Sequence, residues 1–246
     1  MRMWNTLRAA WHVTPPAIWG KLPGHADFVR SGVRHGEADA WMPWLAQQCP
    51  HGGSGASARA VAIPVAFALP PGTLAFARRR FVLGVIAPSC DKVGRHHPLL
   101  VYQLAHPRWT QAHFSAQLQE PLDWQFSLAR AVARHTHAQG LADLRALERT
   151  VRALWRAQQS QDARAEPEGS REHRGKQNQA LLERWAGPPL PDDPAAALQG
   201  VRFLPWTDWP NRLQGPRAEM AFWQQDAQGR FIGAANRLQT LWGGAP

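Results

Sequence analysis

The chain has 246 residues, of which 44% are hydrophobic and 19% charged, a composition typical of a globular protein with a sizeable core. Its formal net charge is +10, and thirteen tryptophans stand beside a single tyrosine. No run approaches the roughly 18 apolar residues of a membrane span. The first residues also lack the apolar core of a signal peptide. The sequence therefore predicts a cytoplasmic protein with no membrane insertion, and its tryptophans are expected to fill a core.

The positive charge is concentrated in the first half of the chain. Residues 1–118 carry an excess of eight positive charges, against two in residues 119–246, and nearly all the cations are arginines. A basic half favours either nucleic acid or an acidic protein as partner. No lysine-rich tail or zinc-finger spacing accompanies it, so we expect a protein partner. A basic nucleic-acid-binding protein is the alternative.

Residues 1–16 are predicted to form a flexible leader, and residues 17–242 a single domain. The domain starts with a short strand and a turn rich in glycine and proline, after which Phe28 and Val29 are apolar again. Asp39 is the expected N-cap of a helix that would hold Pro43 in its first turn and bury Trp41, Trp44 and Leu45 on one face.

Three apolar runs then predict a meander of strands. Pro64 lies inside the first run, 60–69, and would confine that strand to a sheet edge or a bulge. The runs 81–87 and 99–104 are joined by a loop too short for a parallel crossover, so they are expected to be antiparallel neighbours.

The rest of the chain is predicted to be mainly helical, with a strand pair near its end. Helices are expected over 124–137 and over 141–156, where leucines at helical spacing oppose a solvent-facing row of arginines. Residues 158–178 lack large apolar side chains and are predicted to be a disordered loop. A helix at 180–185, a strand at 201–204, a hairpin of 219–224 with 230–234, and a closing helix at 237–242 complete an α/β fold.

The polar loop between the second and third strands invites a catalytic interpretation. It contains Ser89, Asp91, His96 and His97, so an uncharacterised hydrolase using this loop is a further alternative. Triad members normally arrive from separate elements, which makes a cluster on one loop a poor candidate. Metal-ligand spacings are missing, and Cys49 and Cys90 are expected to be free thiols. We therefore predict no enzyme activity, no metal and no cofactor.

A structural interpretation of the same residues is that two loops latch one end of the sheet. Glycines at 20, 24 and 94 would allow tight turns. Lys21, Lys92 and Arg95 would pair with Asp27 and Asp91. On this interpretation the loops perform no chemistry.

Two motifs in these loops resemble the TagF (ImpM) family of type VI secretion accessory proteins. The first comprises Gly20, Lys21, Leu22, Pro23, Asp27 and Phe28, followed by Val29; the second comprises Ser89, Asp91, Lys92, Val93, Gly94, Arg95 and Pro98, followed by Leu99. The sequence departs from the family pattern at 24–26, at 37–41 and at His96-His97.

The resemblance implies a fold, a function and a partner. The fold would be a three-layer α/β/α sandwich with a mixed, largely antiparallel central sheet. The function would be non-catalytic, post-translational repression of type VI secretion. The partner would be the forkhead-associated scaffold protein of that system, together with other components of the apparatus, and the motif residues would either bind that partner or be purely structural.

Overall fold

The computed structural model describes residues 12–48, 63–116, 124–137, 143–162, 211–213, 218–225 and 231–242. Seven strands form one sheet: β1 (Ala17–Gly20), β2 (Val29–Ser31), β3 (Val65–Leu69), β4 (Phe81–Ala87), β5 (Leu99–Ala105), β6 (Ala221–Gln225) and β7 (Phe231–Ala235). Their order across the sheet is β2-β1-β5-β4-β3-β6-β7. All pairings among these strands are antiparallel, which corrects the expectation of a mixed sheet.

In the described part of the chain, five helices accompany the sheet: α1 (Glu37–Gln48), α2 (Pro107–Ala116), α3 (Trp124–His137), α4 (Leu144–Asp162) and α5 (Leu238–Trp242). None of these helices is long and apolar enough to cross a membrane. The helices predicted at 124–137 and 237–242 and the paired strands near the end of the chain are confirmed. The helix at 180–185, the strand at 201–204 and the hairpin turn lie outside the described residues.

The central strands are buried on both faces. Along β4, Phe81, Leu83 and Val85 belong to a core cluster with side chains of α3 and α4, whereas Val82 and Ile86 belong to a second cluster with α1. Because both faces of the sheet are covered, the sequence of a central strand is a continuous run of apolar residues. Antiparallel sheets often leave one face exposed, and their strands then alternate between apolar and polar residues. The expected antiparallel pairing of β4 with β5 is confirmed, from Phe81 opposite Ala105 to Ala87 opposite Leu99.

The tryptophans of the described part mostly fill these two clusters, as expected. Trp19, Trp41, Trp44, Trp124 and Trp223 are all buried. The ring centroids of Trp41 and Tyr102 lie 5.1 Å apart in an edge-to-face arrangement, and those of Phe114 and Trp223 lie 5.7 Å apart. Such aromatic pairs add directional packing to the large apolar area that the indoles bury.

Three local predictions are wrong. Pro64 does not place its strand at an edge: β3 begins one residue later and lies between β4 and β6, so the proline removes no hydrogen bond from the strand. Helix α1 begins at Glu37, so Asp39 is inside the first turn and Pro43 lies in the interior of the helix. The side chain of its first residue, Glu37, accepts the Arg34 N–H through Oε2 at 3.0 Å and so holds the turn that precedes the helix.

The predicted disordered loop begins too early. Helix α4 continues to Asp162, so residues 158–162 are helical, and the rest of the predicted loop lies outside the described residues. Gln158 is buried, and glutamine, alanine and arginine are good helix formers even where no apolar stripe continues. At the other end of the chain, Val13 is buried and bridges to Ala105, so the end of the predicted leader is held against the sheet.

Candidate functional site

The two motif loops meet at one end of the sheet, which we call the motif end. The first loop leaves β1 at Gly20, and the second joins β4 to β5. Because Gly20 pairs with Leu99, the end of β1 lies directly beside the start of β5. The topology therefore brings two segments that are some seventy residues apart in sequence into one surface.

An ion-paired carboxylate joins the two loops. Asp91 is 2% exposed, and its Oδ2 accepts from Lys21 Nζ at 2.9 Å and from Arg95 Nε at 2.7 Å. Its Oδ1 accepts the backbone N–H groups of Arg95 at 2.9 Å and Val93 at 3.1 Å. Four charge-assisted hydrogen bonds thus satisfy a carboxylate that would otherwise be costly to bury.

These contacts decide the protonation state of Asp91. Burial by itself raises the pKa of its carboxyl, but the hydrogen bonds from Lys21 and Arg95 outweigh that effect and hold the pKa well below its usual value. Asp91 is therefore ionised at neutral pH. A permanently charged carboxylate with all its partners inside the protein serves to hold the loop in place and is a poor proton donor or acceptor.

Further hydrogen bonds tie the loops together through the backbone. Ser89 Oγ donates to the Lys21 carbonyl at 2.8 Å, and Lys92 N–H donates to the His25 carbonyl at 2.8 Å. Arg95 Nη2 donates to the Ala26 carbonyl at 2.7 Å. The latch predicted from the sequence is therefore present, built around Asp91.

Gly20 is required at the point where the loops touch. Its φ is +134°, and a Cβ placed there would lie 2.1 Å from the Pro98 carbonyl oxygen. Gly94 also has a positive φ, +83°, but its Cβ position faces open space. Only glycine adopts such φ values readily, and at position 20 the close approach of backbone adds a second reason.

Two predicted pairings are wrong. Asp27 is exposed and its Oδ1 accepts the N–H of Phe28 at 2.7 Å, a local turn contact; within the described residues Asp27 forms no ion pair with Lys21 or Arg95. Lys92 contributes its backbone N–H while its side chain is exposed. Among the described residues, Asp91 is the carboxylate that pairs with both Lys21 and Arg95.

The remaining motif residues divide into buried and exposed sets. Leu22 is fully buried, Pro23 and Pro98 are half-buried, and Phe28 stacks on Trp19 with centroids 5.5 Å apart. Val93 is 68% exposed at the tip of the second loop. We call the exposed run from Lys92 to His96 the motif tip.

Sequence reasoning missed the part that His25 and His97 play. His25 Nε2 accepts the N–H of Leu144 at 3.3 Å, which connects the first loop to the start of α4. His97 lies edge-on to Trp19 and Phe28, with centroids 5.0 and 4.6 Å away. Both residues lie at positions where the sequence departs from the family pattern. That departure was the feature of the sequence that could have pointed to them.

The geometry gives no support to a serine triad. The Ser89 hydroxyl donates to a carbonyl, and Asp91 is engaged by cations. The contact of His97 Nδ1 is with the Pro98 carbonyl at 2.8 Å. Burial lowers the pKa of His97, so its ring is neutral at pH 7. Across the described ranges, no group of three or more His, Cys, Asp or Glu residues could hold a metal ion.

The sequence that forms these two loops matches the model of a known protein family. Residues 17–154 match the model of the TagF N-terminal domain, described as type VI secretion system-associated. The chain belongs to the TagF family. That match begins at the first residue of β1, includes both motif loops and ends within α4, so the latch of this TagF-family chain lies entirely inside the matched region.

A solved structure with low sequence identity is also similar to this chain. The solved structure of PA0076 from Pseudomonas aeruginosa PAO1 is similar to this chain at 23% identity, with a TM-score of 0.44, over 68% of this chain and 78% of that one. No curated protein matches the chain.

Proposed function

We propose that this TagF-family chain is a non-catalytic, cytoplasmic regulator of a type VI secretion apparatus. It represses secretion after translation by binding the forkhead-associated scaffold protein of that apparatus. The proposal rests on the different roles of the buried and the exposed residues at the motif end. Asp91 and Lys21 hold the loops rigid from beneath, while the motif tip presents exposed side chains above them.

The chemistry of the motif tip supports a binding role. Lys92 and Arg95 are exposed cations on either side of Val93, an apolar side chain that gains by leaving water. A tip held by internal hydrogen bonds loses little conformational entropy on binding, so more of the contact energy remains for affinity. The scaffold would accordingly offer a small apolar site flanked by carboxylates.

We further propose that residues 17–242 form one domain with a three-layer α/β/α arrangement. The support is that β6 pairs with β3 in the same sheet as the matched region, and that helices contribute to both core clusters. On this proposal the segment between α4 and β6 is an excursion from a single domain.

The proposal is tested by capture of the scaffold and by secretion. The chain is produced together with the forkhead-associated scaffold protein of the same type VI cluster, and complexes are isolated through a tag on the chain. We expect the scaffold to co-purify, and overproduction of the chain to reduce effector release. The absence of a complex together with unchanged secretion would overturn the proposal.

Matched variants localise the contact. The double substitution Lys92→Glu and Val93→Glu changes the motif tip without touching the hydrogen bonds of Asp91 to side chains. Arg149→Glu, on the exposed face of α4, is the control because it also reverses an exposed charge. Loss of capture in the tip variant alone supports the motif tip as the contact, and equal capture by both variants rejects it.

A further inference from the structure

A second surface lies at the end of the sheet opposite the motif loops. The segment before β4 and the segment after β5 meet there, because Phe81 pairs with Ala105. His106 N–H donates to the His12 carbonyl at 2.6 Å, which brings the segment before β1 to the same place. The chain also leaves β2 at this end, since Ser31 pairs with Ile18.

The segments that meet at this end carry positive charge and no negative charge. Residues 12–16, 32–36, 70–80 and 106–108 contain no Asp or Glu. They contain five arginines: Arg34, Arg78, Arg79, Arg80 and Arg108. We call the surface that these segments form the arginine end. At the motif end, by contrast, two of the three cations share Asp91. The segments of the arginine end therefore carry the larger excess of positive over negative residues.

The arginines at this end are mostly exposed, and few of the acids that the structure describes lie near it. Arg34, Arg78, Arg79 and Arg108 are all exposed. Among the described residues at the margins of this end, Asp39 is exposed on the first turn of α1, and Glu219 pairs with Arg212 beside β6. Glu37 is buried and bonded to Tyr102. The field at this end is consequently positive and faces solvent.

The loop that carries three of these arginines is held firmly. Leu74 and Ala77 are buried beneath it. Gly72 N–H donates to the Ala77 carbonyl at 3.0 Å, and Ala77 N–H donates to the Leu74 carbonyl at 2.9 Å. The backbone of Arg78–Arg80 therefore follows a fixed turn into β4, so a ligand need not order it.

We propose that the arginine end binds an acidic segment of a partner protein, as a site separate from the motif tip. Guanidinium groups engage carboxylates through paired hydrogen bonds, which suits a run of Asp and Glu side chains. From β2 to β4 the sheet spans three strand spacings, or about 14 Å. That width accommodates a short extended peptide of about four or five residues.

Nucleic acid fits this surface less well. A protein that binds a duplex through about six to ten phosphate contacts needs more cations than the five arginines of this end supply at one contact each. Single strands are held by stacking on aromatic side chains. Among the described residues no Phe, Tyr or Trp side chain is exposed, and the exposed rings in the segments of this end are the imidazoles of His12 and His35.

The test uses the full chain and a fluorescein-labelled peptide of ten glutamates. Binding is followed by anisotropy at low and at physiological ionic strength, with a ten-residue peptide of glutamine and serine, a twenty-nucleotide oligo(dT) strand and a 20-bp DNA duplex as comparisons. We expect the glutamate peptide to bind more tightly than all three, with an affinity that falls as salt rises. Failure of the glutamate peptide to bind, or tighter binding of either DNA, would overturn the proposal.

Charge-reversed variants decide where the peptide binds. The double substitution Arg78→Glu and Arg79→Glu should weaken peptide binding about tenfold, because two attractive contacts become repulsive. Arg145→Glu with Arg149→Glu, on the exposed face of α4, changes the net charge equally and should weaken it much less. Equal loss in the two variants would mean a response to net charge alone and would reject the site. No scaffold protein is present in this experiment. A negative result would therefore reject the site at the arginine end without bearing on the proposed function of the motif tip, which is tested by capture of the scaffold.

Discussion

Lys21 Nζ lies 2.9 Å from Asp91 Oδ2, although seventy positions separate the two residues in the sequence. The contact forms because β1 and β5 are neighbours in the sheet and the loops at their ends face each other. One ion pair thus links the two family motifs. This ion pair also explains how the hydroxyl, carboxylate and imidazole groups of the loop between β4 and β5 can have a structural role instead of a catalytic one.

The first prediction concerns Asp91→Asn. Since the pKa of Asp91 is lowered by folding, its ionised form stabilises the native state above the ordinary carboxyl pKa of 3.8, and that contribution is lost as the pH falls below this value. We expect the variant to be less stable than the wild type at pH 7 and to lose less stability on acidification. Urea unfolding followed by tryptophan fluorescence from pH 7 to pH 2 measures this.

Asp27→Asn is the matched control, since Asp27 is exposed and bonds only to its neighbour's backbone among the described contacts. It should leave the stability at pH 7 nearly unchanged. Equal effects of the two substitutions would contradict a special role for Asp91.

The second prediction compares Gly20→Ala with Gly94→Ala. Both glycines have positive φ. For alanine the left-handed conformation at position 94 costs about 1–2 kcal/mol, and the φ of Gly20 lies in a region almost confined to glycine, which costs an alanine about 1–3 kcal/mol. At Gly20 the new Cβ would also collide with the Pro98 carbonyl, so the total loss in free energy of unfolding should reach about 3 kcal/mol or more. Chemical denaturation of both variants tests the difference, and a cost at position 20 no larger than at position 94 would argue against the close contact.

The third prediction concerns Tyr102, the one tyrosine of the chain. Burial raises the pKa of its hydroxyl, and the hydrogen bond to Glu37 at 2.7 Å adds to that effect. The protonated form therefore stabilises the fold below pH 10, and this contribution is lost as the pH rises beyond the ordinary tyrosine value of 10.0. Phenolate absorbance near 295 nm should appear only as the protein unfolds.

The substitution Tyr102→Phe measures the same contact at neutral pH. Removing a donor to a buried carboxylate should cost about 2 kcal/mol of unfolding free energy. In a Glu37→Gln background the cost should shrink, because the charged acceptor is gone. An unchanged cost in that background would show that Glu37 is not the partner that matters.

The fourth prediction concerns His97. Burial against Trp19 and Phe28 lowers the pKa of its imidazole, so the neutral ring favours the folded state. The contribution is present above the ordinary pKa of 6.5 and is lost as the pH falls below it. We expect His97→Gln to flatten the stability profile between pH 7 and pH 5, and a slope as steep as that of the wild type would contradict the prediction. NMR titration of the His97 ring checks the direction of its pKa shift.

Much of the sheet could be predicted because its apolar runs are bounded by strong turn residues. The runs at 81–87 and 99–104 required antiparallel pairing, since the loop between them is short. The interior position of β3 could not be predicted, because a proline is compatible with a central strand when it precedes the first ladder bond, and the sequence does not mark that bond.

The site was predictable in its residue types and only partly in its pairings. A buried carboxylate needs cations, and the sequence supplied three cations and two carboxylates near the motif loops. Which of them meet depends on where each side chain points after its strand ends. Asp91 follows β4 into the interior, whereas Asp27 lies on an exposed turn, and no local pattern separates the two.

Hydrogen–deuterium exchange of the full chain, with and without the forkhead-associated scaffold protein, tests the central claim most directly. We expect amides from Lys92 to His96 to gain protection when the scaffold binds, and this gain to disappear in the variant carrying Lys92→Glu and Val93→Glu. Protection confined to other parts of the chain, or no change on adding the scaffold, would contradict the claim that the motif tip is the regulatory contact.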